Sequence, residues 1–248
     1  MNSKFSLLYC GMANRIFLYS LVLLPLPLEA QQMIAYTSGT GFFVTRDGHI
    51  LTNNHVIENC RKISVQGDDF SSGAVVIATD KEHDLALLKS PFGNSNMAYF
   101  NSMKQPLKKN APVVIVGYPG DSWRGHNPIV RSSTIIDTKG PQGEEQWLQF
   151  NDSVQHGNSG GPLLDSAGNV VGVVVAKAEL HITNQSNGGT ETIKKSDIAI
   201  SLPMVKGFLE QNNIQYQTMD SGIYLSPDRV NDRTRPFIVN VNCRVAGQ

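Results

Sequence analysis

From Gly41 onward, apolar positions come in short runs separated by turn residues, with almost no helical periodicity between them. The runs at residues 42–44, 49–52, 62–65, 74–78 and 85–89 predict one series of strands. Those at residues 112–116, 132–136, 146–150, 170–175 and 198–200 predict a second. Asp47-Gly48 is a hairpin signal between the first two runs. Residues 106–110 read as a linker between the two series. The first clear helical pattern comes late: Pro203 opens it, Val205, Phe208 and Leu209 share a face, and Asn212-Asn213 end it. Strict alternation then returns at residues 238–245, with Val239, Val241, Cys243 and Val245 on one face and Asn240, Asn242 and Arg244 on the other. That period predicts a terminal strand docked on the fold with Cys243 inward.

Composition narrows the picture. Lys plus Arg and Asp plus Glu both number 21, so the chain lacks the basic field that nucleic acid binding requires. Residues 16–28 form an uncharged run preceded by Arg15. It is shorter than the roughly 20 apolar residues of a spanning helix and holds two prolines, so residues 1–30 read as a signal peptide cleaved before Gln31. Met12 is a possible true start, and an uncleaved anchor is the alternative. Export leaves Cys60 and Cys243, which either pair or remain two buried thiols. No Cys/His cluster has metal spacing, so neither metal nor cofactor is expected.

The candidate chemistry centres on Gly157-Asn158-Ser159-Gly160-Gly161. Read literally it fits the nucleophile elbow of α/β-hydrolases, whose chain order is Ser, acid, His. Only His181 follows Ser159, 22 residues on among polar turn residues, and the alternating helices of such a fold are missing. The order His, Asp, Ser is available instead. His55 closes the strand at residues 49–52, and Asp84 opens the apolar run at residues 85–89. Ser159 is a poor nucleophile without an imidazole to take its proton, and a carboxylate must orient that imidazole. The Gly-x-Ser turn can aim the Gly157 and Ser159 N–H groups at one developing oxyanion. His156 suits a pocket rim, and His83 a structural or solvated position.

Gly39-Thr40-Gly41-Phe42-Phe43, Ile50-Leu51-Thr52-Asn53-Asn54-His55-Val56, Asp84-Leu85-Ala86-Leu87-Leu88 and Gly157-Asn158-Ser159-Gly160-Gly161-Pro162 together resemble the trypsin-like serine peptidases, in particular their bacterial Htr/Deg-type branch. The likeness extends over roughly residues 36–210. It implies an all-β fold of two six-stranded antiparallel barrels, with His55 as general base, Asp84 as its orienting carboxylate and Ser159 as nucleophile in the cleft between them. The first barrel is expected over residues 36–105, the second over 106–205, and a helix with a tail strand over 206–248.

The tail is too short for the PDZ modules of many relatives. Asn158 stands where digestive relatives place the aspartate that receives a new N-terminus, so no zymogen cleavage is expected. Ser153 would line the substrate pocket and favour small or medium apolar side chains. Asp197 either faces it, selecting Lys or Arg, or caps its own strand. The resulting expectation is an exported endopeptidase acting on proteins or peptides. The alternative is a barrel that binds without catalysis.

Overall fold

The structure, a computed structural model, describes residues 36–245 except residue 69 and residues 121–126, 152–153 and 176–196. Strands β1 (Tyr36–Phe43), β2 (His49–Thr52), β3 (Cys60–Gln66), β4 (Ser71–Asp80) and β5 (Leu85–Lys89) build most of a first barrel. Between β2 and β3 lies a single helical turn, α1 (Asn54–Ile57). The hairpin at Asp47-Gly48 works because Gly48 holds φ at +104°, where a Cβ would also run into the Phe92 carbonyl oxygen at 2.6 Å. Phe42, Phe43, Ile50, Leu51, Val65 and every apolar residue of β5 are fully buried, on both faces of the ring wall. The apolar run in β4 behaves differently. A register shift between Val76 and Ala78 interrupts its alternation, and Val75, Val76 and Ile77 are exposed.

The sixth strand of that barrel comes from the other end of the chain. β14 (Ile238–Val245) pairs antiparallel with β1 on one side and β3 on the other, giving the closed order β1-β14-β3-β4-β5-β2. The strand expected to dock on the barrel is therefore one of its staves. Val239, Val241 and Cys243 are buried, in line with the alternation, while Val245 is only half-buried. Asn240 is buried as well, although the pattern puts it on the polar face. The outer side of β14 meets strand β7 (Pro112–Gly117) of the second barrel, so part of that face never reaches water.

The second barrel closes through β7, β8 (Ile129–Asp137), β9 (Trp147–Phe150), β12 (Asp197–Ser201), β11 (Val170–Val175) and β10 (Pro162–Asp165), since β10 pairs with both β11 and β7. The fold is thus two six-stranded antiparallel barrels. Strand β10 did not stand out in the sequence because Leu163 and Leu164 alone separate Gly-Pro from the Asp165 turn. β6 (Tyr99–Asn101) and β13 (Gln217–Met219) add a short parallel extension on β11. Helix α2 (Leu202–Gln211) starts with Pro203 and buries Leu202, Val205, Phe208 and Leu209, the face the sequence predicts. From there the chain runs through β13 and α3 (Pro227–Thr234), which packs on β7 and β8, before entering β14.

A disulfide joins Cys60 in β3 to Cys243 in β14, with Cα atoms 5.3 Å apart and a sequence separation of 183. The bond ties the last strand to the third and restricts the unfolded chain over most of its length. Replacing both cysteines by serine is expected to lower unfolding stability by about 2–4 kcal/mol. Urea denaturation of the two proteins measures it, and alkylation of the unreduced, denatured wild type beginning at Gln31 should add no label.

Candidate active site

His55 and Asp84 meet at the edge of the first barrel. Asp84 precedes β5 and has φ = +55°, a left-handed conformation that short polar side chains tolerate. This twist turns its carboxylate back toward α1. Oδ1 accepts the His55 backbone N–H at 2.9 Å and Oδ2 contacts the His55 ring Nδ1 at 2.7 Å. The Asp84 carbonyl accepts the Asn54 N–H at 3.1 Å and the Asn53 side-chain amide at 2.9 Å. One aspartate therefore fixes both the helical turn and the ring that the turn carries. The imidazole is 44% exposed and Asp84 is 21% exposed, so the ring's far side opens outward while the carboxylate is sheltered.

Ser159 arrives from the second barrel, in the turn before β10. Gly157 has φ = +97° and Gly160 +83°, values that glycine adopts without strain. A Cβ on Gly157 would strike the Tyr118 carbonyl oxygen. One on Gly160 would strike the Thr40 carbonyl oxygen and the Thr52 hydroxyl, and would lie 2.8 Å from the Asn53 backbone nitrogen. The Ser159 turn is thereby seated against the turn that leads into His55. Gly39 completes the seam, since a Cβ there would sit between the Val56 methyls, at 2.6 and 2.7 Å, and the Ser159 carbonyl oxygen at 3.0 Å. Asn158, adjacent to Ser159, is buried with its side-chain oxygen close to Gly117.

Among the described residues none accepts a hydrogen bond from the Gly157 N–H. That amide and the Ser159 amide are the two proposed oxyanion donors. The structure brings the segments of His55, Asp84, Gly157 and Ser159 together along one seam between the barrels. Asp197, at the start of β12, accepts the Val154 N–H at 2.9 Å through Oδ2, which ties it to the segment leading into the Ser159 turn. Ser153 and His181 lie outside the described residues. His156 is exposed, and its carbonyl is held by the Gly120 N–H at 2.5 Å. His83 makes a separate pair, its Nδ1 2.7 Å from Asp80 Oδ2. Burial works to raise the Asp80 carboxyl, but hydrogen bonds from the His83 backbone and ring hold it below the usual carboxylate range.

Sequence reasoning gave no role to Thr40, Thr52 or Asn53, all fully buried polar residues at the seam. A threonine between two glycines, in a strand whose following residues are all apolar, was the available signal. An apolar cavity lined by Leu107, Ala111, Leu148, Val171 and Leu202 lies beside Asp165 and Ser201, the ends of β10 and β12 remote from Ser159 and Asp197, and takes in none of the seam residues.

A family model for the trypsin-like peptidase domain matches residues 39–173, more than half of the chain and the segments of Thr40, His55, Asp84 and Ser159. The chain belongs to the trypsin-like peptidases. Within that family it is 37% identical over 149 residues to a probable periplasmic serine endoprotease, DegP-like, of Pseudomonas fluorescens, covering 59% of this chain and 31% of that protein. The HtrA-type protease AlgW solved with a tripeptide superimposes with a TM-score of 0.56 at 25% identity, covering 70% of this chain and 55% of that one. The Rv3671c protease, solved in an inactive form, superimposes at 0.53 with 27% identity, over 72% and 87% of the two chains. This trypsin-like peptidase chain spans less than half the length of the curated relatives it matches.

The close backbone fit at Gly160 has a measurable consequence. Gly160→Ala meets two oxygens and a nitrogen and pays for its positive φ, so a stability loss beyond the roughly 1–3 kcal/mol of φ strain alone is expected. Gly143→Ala, with φ +88° and open space around it, should cost only that strain. Urea unfolding of the two variants compares them.

Proposed function

We propose that this chain is a serine endopeptidase that cleaves proteins or peptides through an acyl-enzyme on Ser159. The carrying observation is the double contact of Asp84 with His55, at 2.9 Å to the backbone and 2.7 Å to Nδ1. With Nδ1 committed to the carboxylate, Nε2 is the basic nitrogen that faces outward. It takes the Ser159 proton as Oγ attacks the scissile carbonyl carbon, and Asp84 stabilises the imidazolium that forms. The oxygen of the tetrahedral intermediate becomes negative and accepts from the Gly157 and Ser159 amides. Collapse expels the amine, which takes the proton from His55. A water molecule then repeats the sequence and releases the acid, returning the proton to Oγ.

The location follows from the sequence. The uncharged run at residues 16–28 directs export, and a disulfide suits an oxidising compartment. Periplasmic relatives and a peptide-bound neighbour support the same reading. No helix among the described residues is long and apolar enough to cross a membrane. Asp197 commits one carboxylate oxygen to the Val154 N–H, a tie between its strand and the segment before Ser159 that favours a structural role over selection of Lys or Arg.

Hydrolysis of fluorescein-labelled casein provides the test. Ser159→Ala should show none while unfolding as cooperatively as the wild type. Asp84→Asn should be slower by about 10⁴-fold, the cost of presenting the wrong imidazole tautomer. A folded Ser159→Ala protein that cleaves casein at the wild-type rate refutes the proposal.

A further inference from the structure

The geometry points to Thr40 as a positioning residue that holds the oxyanion-binding turn in its working shape, an inference that rests on the reading of Ser159 as nucleophile. Thr40 lies in β1, in the first barrel, yet it grips the nucleophile turn of the second barrel at both ends. Its hydroxyl donates to the Gly157 carbonyl at 2.6 Å, and its backbone N–H donates to the Ser159 carbonyl at 2.8 Å. The same hydroxyl accepts the Tyr118 N–H at 2.9 Å. Its own carbonyl is held by the Thr52 hydroxyl at 2.7 Å, three residues before His55. Thr40 is fully buried, so these bonds are made without competition from bulk water.

The position of the Gly157 carbonyl decides what the turn can do. A peptide plane rotates as a unit, so fixing that oxygen fixes the Gly157–Asn158 plane between the two amides that would receive the oxyanion. Gly157 has no Cβ and sits at φ +97°, so its own dihedrals impose little resistance to rotation. The resistance comes from outside: the Thr40 hydroxyl holds the carbonyl oxygen of the plane at 2.6 Å, and the Gln155 carbonyl accepts its Asn158 N–H at the longer distance of 3.1 Å. Gly117 leaves room for that hydroxyl, since a Cβ there would lie 2.8 Å from Oγ1. Replacing the hydroxyl by a methyl leaves a buried carbonyl and a buried N–H without their partner, and the turn relaxes toward other donors. Gly39 beside it lets β1 approach the turn closely enough for the grip, since a Cβ there would lie 3.0 Å from the Ser159 carbonyl oxygen.

A fluorophosphonate probe tests this with the full chain. Ser159 Oγ displaces fluoride from phosphorus, and the phosphonyl oxygen occupies the place of the oxyanion, so the rate of inactivation reads the turn while the concentration dependence reads probe binding. Losing one oxyanion donor costs about 10²–10³ in rate, and a turn that wanders forfeits part of that. Thr40→Val should slow the maximal inactivation rate at least about tenfold with half-saturation within about threefold of wild type, whereas Thr40→Ser, which keeps the hydroxyl, should stay within about threefold in both. A purely structural role would lower thermal stability in both variants and leave the maximal rate of the folded protein unchanged. If Thr40→Val does not fold, Thr40→Cys, similar in volume but a weak donor, replaces it under the same criteria. Wild-type rates in the folded valine or cysteine variant overturn the inference, as does a serine variant as slow as the valine one. Labelling of Ser159→Ala at the wild-type rate would overturn the underlying reading as well, which separates the two failures.

Discussion

The bond between Asp84 and His55 is the interaction on which the arrangement of the site depends. A carboxylate that accepts from both the backbone and the ring of one histidine leaves that ring a single orientation. The constraint reaches back into the fold. Asp84 adopts its left-handed backbone one residue before β5, which is anchored by four fully buried apolar side chains. Its carbonyl in turn fixes Asn53 and Asn54, so the one helical turn carrying His55 is organised from a single neighbouring position. The direct bonds to this turn are strong because the carboxylate is largely sheltered from water.

Two barrels contribute to the site, and they meet through close backbone approach as well as through an apolar core that runs from one into the other. Gly39, Gly157 and Gly160 each occupy a place where a methyl group would collide with atoms of another segment. The first barrel is itself completed by β14, whose chain has already crossed the second barrel through α2, β13 and α3. The order of synthesis and the order of assembly therefore differ. Five strands of the first barrel wait for residues 238–245 before the ring can close, and the Cys60–Cys243 bond then secures it. Until that point β1 and β3 present open edges of the kind that pair with other chains.

Much of this was legible in the sequence because the signals were local. Short apolar runs between turn residues gave most strands, Pro203 and the spacing of Val205, Phe208 and Leu209 gave α2, and the alternation at residues 238–245 gave β14. The grouping of His55, Asp84 and Ser159 was read from their order and a family likeness, since no local pattern encodes a contact such as that of His55 with Asp84, 29 positions apart. What escaped notice was non-local. The insertion of β14 between β1 and β3, the burial of Asn240 and the grip of Thr40 on Gly157 all depend on segments about 100 to 200 residues apart in the chain. The outward face of Val75, Val76 and Ile77 misleads for another reason, since an apolar run says that a strand forms and not which way it faces.

The central claim is that the serine of the Gly157–Gly161 turn is the reacting group, and mapping where a fluorophosphonate attaches addresses it most directly. Tandem mass spectrometry of the digested adduct should find one phosphonyl group, on Ser159, in protein that was folded when treated. The contradicting result is a folded protein that takes up none, or one modified instead at another serine such as Ser221, whose hydroxyl donates to the Asp165 carboxylate at 2.5 Å.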